Sequence, residues 1–174
     1  MLGLQNGKDS RQQLDEISET ASLAIEEVRE IAYNLRPYLL DRLGLTKAIR
    51  SLLNKTADAY PIKIVSEIDE VDGLFPNEAE ISIYRIVQES LNNVIKHADA
   101  SEVRILIEKS ERSIFISIED DGKGFDANAE SNGDNRGGFG LFGMAERVRM
   151  LGGTIAIESE TGKGTKILIK ISPN

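Results

Sequence analysis

The 174-residue chain has no cysteine, no tryptophan, one histidine and four prolines. Without cysteine there are no disulfides, no thiolate metal sites and no thiol nucleophile. A single imidazole excludes a multi-histidine metal centre, so any histidine chemistry falls on His97 or comes from another molecule. Apolar runs are short, and none approaches the roughly 20 residues that a membrane-spanning helix needs. The leading MLGLQNGKDSRQQ lacks the basic-then-apolar order of a secretory signal, which makes a cytosolic location the expectation. Positive charge is also in deficit. Lys and Arg number 21 against 29 Asp and Glu, a net charge of −8 at pH 7, so the overall field repels nucleic acid and anionic membrane, and no nucleic-acid partner is expected. The rest is an ordinary globular composition, 40% hydrophobic and 29% charged. A chain of this length hides roughly 70% of its unfolded surface without covalent staples.

Periodicity organises what is present. Leu14, Ile17, Ala21, Ala24, Val28, Ile31 and Leu35 recur at alternating steps of three and four, the seam of a coiled coil or helix bundle, and the pattern stops at Pro37. Residues 36–45 (RPYLLDRLGL) read as a connector, and a second helix is predicted to about Tyr60, ending at Pro61. PIKIVSEID is predicted as a strand. Residues 76–98 are predicted as a long helix with Ile81, Tyr84, Val87, Leu91 and Ile95 on one face, and SEVRILIEKS and RSIFISIED as alternating strands. Residues 121–140, rich in Gly, Asn and Asp, read as a loop. A helix ending at Gly152-Gly153 follows, then the strands GTIAIESE and TKILIKIS around the turn Thr161-Gly162-Lys163-Gly164. Adjacent alternating strands predict an α+β fold, a two-layer sandwich of an antiparallel or mixed sheet with helices on one face.

Three clusters carry candidate chemistry. In the long helix, Glu89, Asn93, Lys96 and His97 fall on one helical stripe. A carboxylate, a carboxamide and an ammonium in file suit a hydrated divalent cation and the phosphates it bridges, although the same pattern describes a solvated helix face. Asp120-Asp121-Gly122-Lys123-Gly124-Phe125 follows a strand directly. Its spaced glycines admit a close backbone approach and its carboxylate can accept from an exocyclic amine, while Asp-Gly alone also marks an ordinary turn. Gly137-Gly138-Phe139-Gly140-Leu141-Phe142-Gly143-Met144 opens a helix, where free N–H groups and the helix dipole favour phosphate. It lacks the Gly-Lys-Ser/Thr ending of a P-loop.

Together and in this order, the sequence resembles the ATP-binding catalytic domain of sensor histidine kinases, in the superfamily shared by gyrase, Hsp90 and MutL ATPases. ESLNNVIKHA is similar to the N-box, DDGKGF to the first glycine box, GGFGLFGM to the second and TGKGT to the short motif between the last two strands. Leu35-Arg36-Pro37, LDRLGL and Glu146-Arg147-Val148 resemble the nitrate-sensing and envelope-stress-sensing subfamily. The resemblance implies the Bergerat ATP-binding fold with ATP and Mg²⁺ as ligands. Asn93 would then ligate Mg²⁺ with Glu89 beside it, as general base or as organiser of the metal, and Lys96 would meet phosphate. Asp120 would accept from the adenine amine, Gly122 and Gly124 would let the loop pass the base, and Thr165 would reach adenine through water. Gly138, Gly140, Leu141 and Gly143 would surround the phosphates, under a lid formed by residues 126–136.

Such kinases phosphorylate a histidine on the first helix of a two-helix dimerisation hairpin, in a motif like Glu-Leu-His-Asp that is absent here. His97 falls instead on the nucleotide-pocket helix. Residues 1–44 are therefore read as the second hairpin helix and its connector, and residues 45–174 as the catalytic domain, in a fragment of a longer chain. The implied partners are the missing acceptor helix, a response regulator and, in the full-length context, a second copy of the chain. Two alternatives stand beside this: a serine kinase of the anti-sigma-factor type, whose N-box has the same Glu, Asn and His spacing, and a non-enzymatic nucleotide-sensing dimerisation module.

Overall fold

The computed structural model describes residues 38–111, 113–126 and 139–172. The heptad seam of residues 12–35, the greater part of the expected lid and Gly138 lie outside the described residues. In chain order the elements are α1 (Tyr38–Leu43), α2 (Leu45–Ala59), β1 (Lys63–Ile68) and α3 (Asn77–Asn93), which runs into a π turn (Val94–Ala98). They continue with β2 (Glu102–Ser110), β3 (Ser113–Asp120), α4 (Phe139–Met150), β4 (Thr154–Ser159) and β5 (Thr165–Ile171).

Alternating isoleucines build the sheet. Strand side chains alternate faces, so Val103, Ile105 and Ile107 in β2, Ile114, Ile116 and Ile118 in β3, and Ile167, Ile169 and Ile171 in β5 all turn to one buried side. The strand order is β1-β2-β3-β5-β4. β1 runs parallel to β2 and the other pairs are antiparallel, so the sheet is mixed, as expected. Register aligns the isoleucines into rows: Ile118 faces Ile105 on one side and Ile167 on the other, and two residues on Asp120 faces Val103 and Thr165. Each isoleucine in such a row contributes about 1.5–3 kcal/mol by leaving water. The row in β3 ends in a buried carboxylate where a further isoleucine would continue it.

The helices cover this buried face. α2 contributes Leu45, Ala48, Ile49 and Leu53, and α4 contributes Met144 and Val148. α3 lies between α2 and α4 and touches both, so its buried stripe is broader than the sequence suggested. Tyr84, Val87 and Leu91 are buried as expected, but Ile83, Ile86, Ser90 and Val94 join them, while Ile81 and Ile95 are only half-buried. The displacement of Ile95 has a local cause. The α-helix gives way at Val94 to the wider π turn, which ends at Asp99 in the left-handed region (φ 54°), and the helical phase extrapolated from α3 fails there. The connector is also more ordered than expected, because residues 38–43 form a helix that stops at Gly44 (φ 80°).

The start of α2 is fixed by a polar clasp. The Thr46 N–H donates to Asp72 Oδ1 at 2.8 Å, which places a carboxylate at a helix N-terminus. The fully buried Thr46 hydroxyl accepts the Val71 N–H at 3.0 Å. Replacing the hydroxyl by a methyl group orphans that buried N–H, a cost of about 1–3 kcal/mol. Thr46→Val is expected to lower the unfolding free energy by that amount, read as a lower urea midpoint at an unchanged slope.

Candidate functional site

Four chain segments meet at the end of the sheet where β3 and β4 terminate. The first is the end of α3 and its π turn; the second is the loop after β3. Lys123 N–H donates to the Ala98 carbonyl at 2.7 Å, and Gly122 stands so close that a Cβ there would overlap the Ala98 oxygen. The third segment is the turn between β4 and β5. Gly124, with φ 56°, lies against the Glu160 carbonyl, and Gly164, with φ 80°, lies against the carbonyl of Asp120. Both conformations and both clearances call for glycine. Gly162 N–H closes the arrangement by donating to Lys123 O at 2.7 Å.

The fourth segment is the start of α4. A Cβ on Gly140 would overlap Glu89 Oε1 and lie 3.4 Å from Asn93 Oδ1, so the second glycine box is seated on the two polar residues of α3. Ser90 Oγ donates to Ile86 O at 2.9 Å and lies 3.5 Å from Met144 Sδ, holding the helices in contact one turn further along. Gly143 and Leu141 are half-buried on α4, with a Gly143 Cβ position 3.3 Å from Arg147 Nη1. Asn93 Nδ2 is buried and has no hydrogen-bond partner among the described residues. Burying such a donor unpaired costs free energy that a ligand acceptor would restore. The helical stripe read from the sequence thus divides: Glu89 and Asn93 are half-buried beneath Gly140, and Lys96 and His97 are exposed on the π turn.

The adjacent carboxylates of Asp120 and Asp121 have opposite characters. Asp120 is 7% exposed. Burial pushes its carboxyl above the usual Asp range, outweighing the N–H donors of Gly122 (2.9 Å to Oδ1) and Thr165, which pull it down. Asp121 is exposed and held below that range by the Ser101 hydroxyl at 2.5 Å, with the Glu102 and Ser101 N–H groups at 2.8 Å. It seats the start of β2, whereas Asp120 is buried at the end of the β3 row. Asp120 and Thr165 both line a cleft of about 370 Å³, within the size range of small-molecule sites.

A buried carboxylate, an orphaned carboxamide and glycines that remove side chains from three backbone crossings define a nucleotide-binding domain of α+β type. Residues 78–174 match the family described as histidine kinase-, DNA gyrase B- and HSP90-like ATPase, and the chain belongs to that family. Within it the chain is similar to the sensor histidine kinase ComP of Bacillus subtilis, 35% identical over 94% of this chain and 21% of that protein. It is also similar to the signal transduction histidine-protein kinase/phosphatase DegS of Brevibacillus brevis, 34% identical over 94% of this chain and 41% of that one. The chain therefore spans less than half the length of either relative. Among solved structures, the histidine kinase domain of the Erythrobacter litoralis blue-light activated histidine kinase shares the fold. Its TM-score is 0.62 at 24% identity, covering 74% of this chain and 60% of that one. Full-length ShkA, solved in complex with AMPPNP, gives 0.59 at 18% identity, over 75% and 30%.

One polar residue of the site escaped the sequence reading. Ser159 ends β4 opposite Thr165 and hydrogen-bonds to Phe125, Gly164 and Thr165. The available signal was its place six residues before Thr165 across a tight turn, where strand pairing brings the two hydroxyls together.

The buried carboxylate has a measurable consequence. Because folding raises the Asp120 pKa, its contribution to stability is fully present below the unfolded value of about 4 and is lost as pH rises through the folded value. Asp120→Asn is thus expected to raise the Tm of the unliganded domain near neutral pH, with a gain that shrinks as pH falls toward about 4. Thermal unfolding followed across that range checks it, and a gain independent of pH would contradict the desolvation account.

Proposed function

We propose that this chain is the ATP–Mg²⁺-binding catalytic region of a two-component sensor histidine kinase, which transfers the γ-phosphoryl group of ATP to a histidine outside this chain. The observation that carries the proposal is the buried Asn93 Nδ2, a donor with no partner among the described residues, on a side chain seated with Glu89 beneath Gly140 at the opening of α4. The amide N–H suits a phosphate oxygen, while Asn93 Oδ1 and the Glu89 carboxylate are oxygen ligands of the kind a hard cation takes. Mg²⁺, when bound, offsets the charge of the phosphate oxygens. Asn93 and Glu89 would hold it, and Glu89 would also be in a position to organise water there. Gly140, Leu141 and Gly143 would present α4 backbone to the phosphates, with Gly138 also surrounding them, since side chains are excluded where Gly140 meets Glu89. Lys96, exposed on the π turn, would add a cation at the phosphate end.

At the other end of the site, Asp120 would accept from the adenine amine while Gly122 and Gly124 leave room for the base, and Thr165 would reach it through water. Phosphoryl transfer needs mainly positioning and charge neutralisation, and these groups supply both once an acceptor histidine is brought in. Residues 1–44 would serve as the second hairpin helix and connector, residues 45–174 as the catalytic domain, and residues 126–136 as a lid. The acceptor helix, a response regulator and a second copy of the chain would be its partners in a cytosolic setting. None of the described helices is long and apolar enough to cross a membrane.

Calorimetric titration tests the proposal. ATP with Mg²⁺ should bind, chelation of the metal should weaken binding, and Asn93→Ala should weaken it by at least about tenfold, the loss expected when a charge-assisted contact is removed. No detectable binding at millimolar ATP would refute it. Incubation of labelled ATP with the chain and a histidine-bearing hairpin helix should give acid-labile phosphohistidine. Acid-stable phosphoserine on a protein partner would instead identify a serine kinase.

A further inference from the structure

The hydroxyl of Ser159 sits among three polar groups: Phe125 N–H at 2.9 Å, the Gly164 carbonyl at 3.0 Å and Thr165 Oγ1 at 3.1 Å. A serine hydroxyl has one proton and two lone pairs. The Gly164 carbonyl can only accept, so it takes the Ser159 proton. The Phe125 N–H can only donate, so it occupies one lone pair. The remaining lone pair faces Thr165 Oγ1, and that contact is a hydrogen bond only if the threonine supplies the proton. Thr165 Oγ1 is then left with lone pairs alone. Its register partner across β3 and β5 is Asp120, and the two residues line the same cleft. The Asp120 carboxylate and the Thr165 hydroxyl therefore both present acceptors at this point of the wall.

We propose that Ser159 is a positioning residue that locks the Thr165 hydroxyl as a hydrogen-bond acceptor, so that the site takes a purine carrying an exocyclic amine and rejects one carrying a carbonyl at the same place. The inference rests on the adenine-nucleotide function proposed above. It holds whether the contact to the base is direct or passes through one water. A water that donates one proton to Thr165 and the other to Asp120 offers only its lone pairs to the base, and so also selects a donor. Buried polar groups set to pair with one functional group discriminate strongly against its replacement, because the mismatched groups are left unpaired.

The test compares calorimetric titrations of the chain with Mg²⁺–ATP and with Mg²⁺–inosine triphosphate, whose base carries a carbonyl where adenine carries the amine. Wild type should favour ATP. Ser159→Ala frees the Thr165 proton to turn toward the carbonyl, and the ATP-to-inosine preference should fall about three- to tenfold, the scale of one hydrogen bond. Ser159→Thr keeps the hydroxyl and should keep the preference. Thr165→Val leaves the Phe125 and Gly164 bonds of Ser159 in place and should lose the preference as Ser159→Ala does. Equal weakening of both nucleotides by Ser159→Ala, an unchanged preference in Thr165→Val, or a wild type indifferent to the two bases would overturn the inference while leaving nucleotide binding intact. A wild type that binds neither would overturn the proposed function and the inference with it.

Discussion

Backbone packed directly on backbone is the constraint from which the site follows. The Ala98 carbonyl receives the Lys123 N–H where Gly122 has no Cβ to intervene, Gly164 lies against the Asp120 carbonyl, and Gly124 against that of Glu160. These contacts join stretches that are distant in sequence: the end of α3, the loop after β3, and the β4–β5 turn. A side chain at any of them would push two segments apart by the width of a methyl group, and interiors at crystal-like density do not absorb that locally. Asp120 and Asn93 keep a fixed relation because Ala98 and Gly122 are in contact. Glu89 and Asn93 are set under α4 in the same way, by a glycine at position 140.

The charge of the molecule is compatible with an anionic ligand only through local arrangement. A net charge of −8 repels polyphosphate at long range, but the field is screened beyond about 10 Å at moderate salt, and close contacts decide binding. Several acidic side chains near the site are already engaged. Asp121 is engaged by Ser101 and Glu102, Lys163 pairs with Glu160, and Lys166 pairs with Glu119. Exposed pairs such as these add little to stability, but they remove bare carboxylates from the approach to the site. On the proposed function, Asp120 would meet an amine and Glu89 a cation.

The α+β class, the strand order within each hairpin and the three polar clusters were legible because each rests on local pattern. Period-two isoleucines announce β2, β3 and β5, and glycine spacing announces backbone crossings. What stayed hidden depends on pairing or on a break of phase. The π turn at Val94–Ala98 carries no composition signal, so Lys96 and His97 were projected onto the stripe of Glu89 and Asn93 and are instead exposed beyond it. The contact of Gly140 with Glu89 reaches across β2, β3 and the loop after them, and no helical or strand period reports it. Ser159 was hidden for a subtler reason: its role is to accept and donate within a loop junction, and a single serine beside a glycine-rich turn looks like ordinary turn chemistry.

Two features of the site run against stability. Asp120 ends a row of buried isoleucines with a carboxylate whose ionisation burial disfavours, and Asn93 keeps an amide nitrogen buried with no partner among the described residues. A hydrophobic residue at the first position and a paired or apolar one at the second would strengthen the unliganded fold. Local conflicts of this kind concentrate where a ligand completes the structure. Here they are of opposite polarity: an acceptor lacking a charged or amine partner near β5, and a donor lacking an acceptor near α4. A ligand with an amine at one end and anionic oxygens at the other resolves both at once, and an adenine nucleotide has that polarity. On the proposed function, the stabilisation the domain forgoes when empty would be recovered on binding, which would link affinity for the nucleotide to the order of α3, the β3 loop and α4 together.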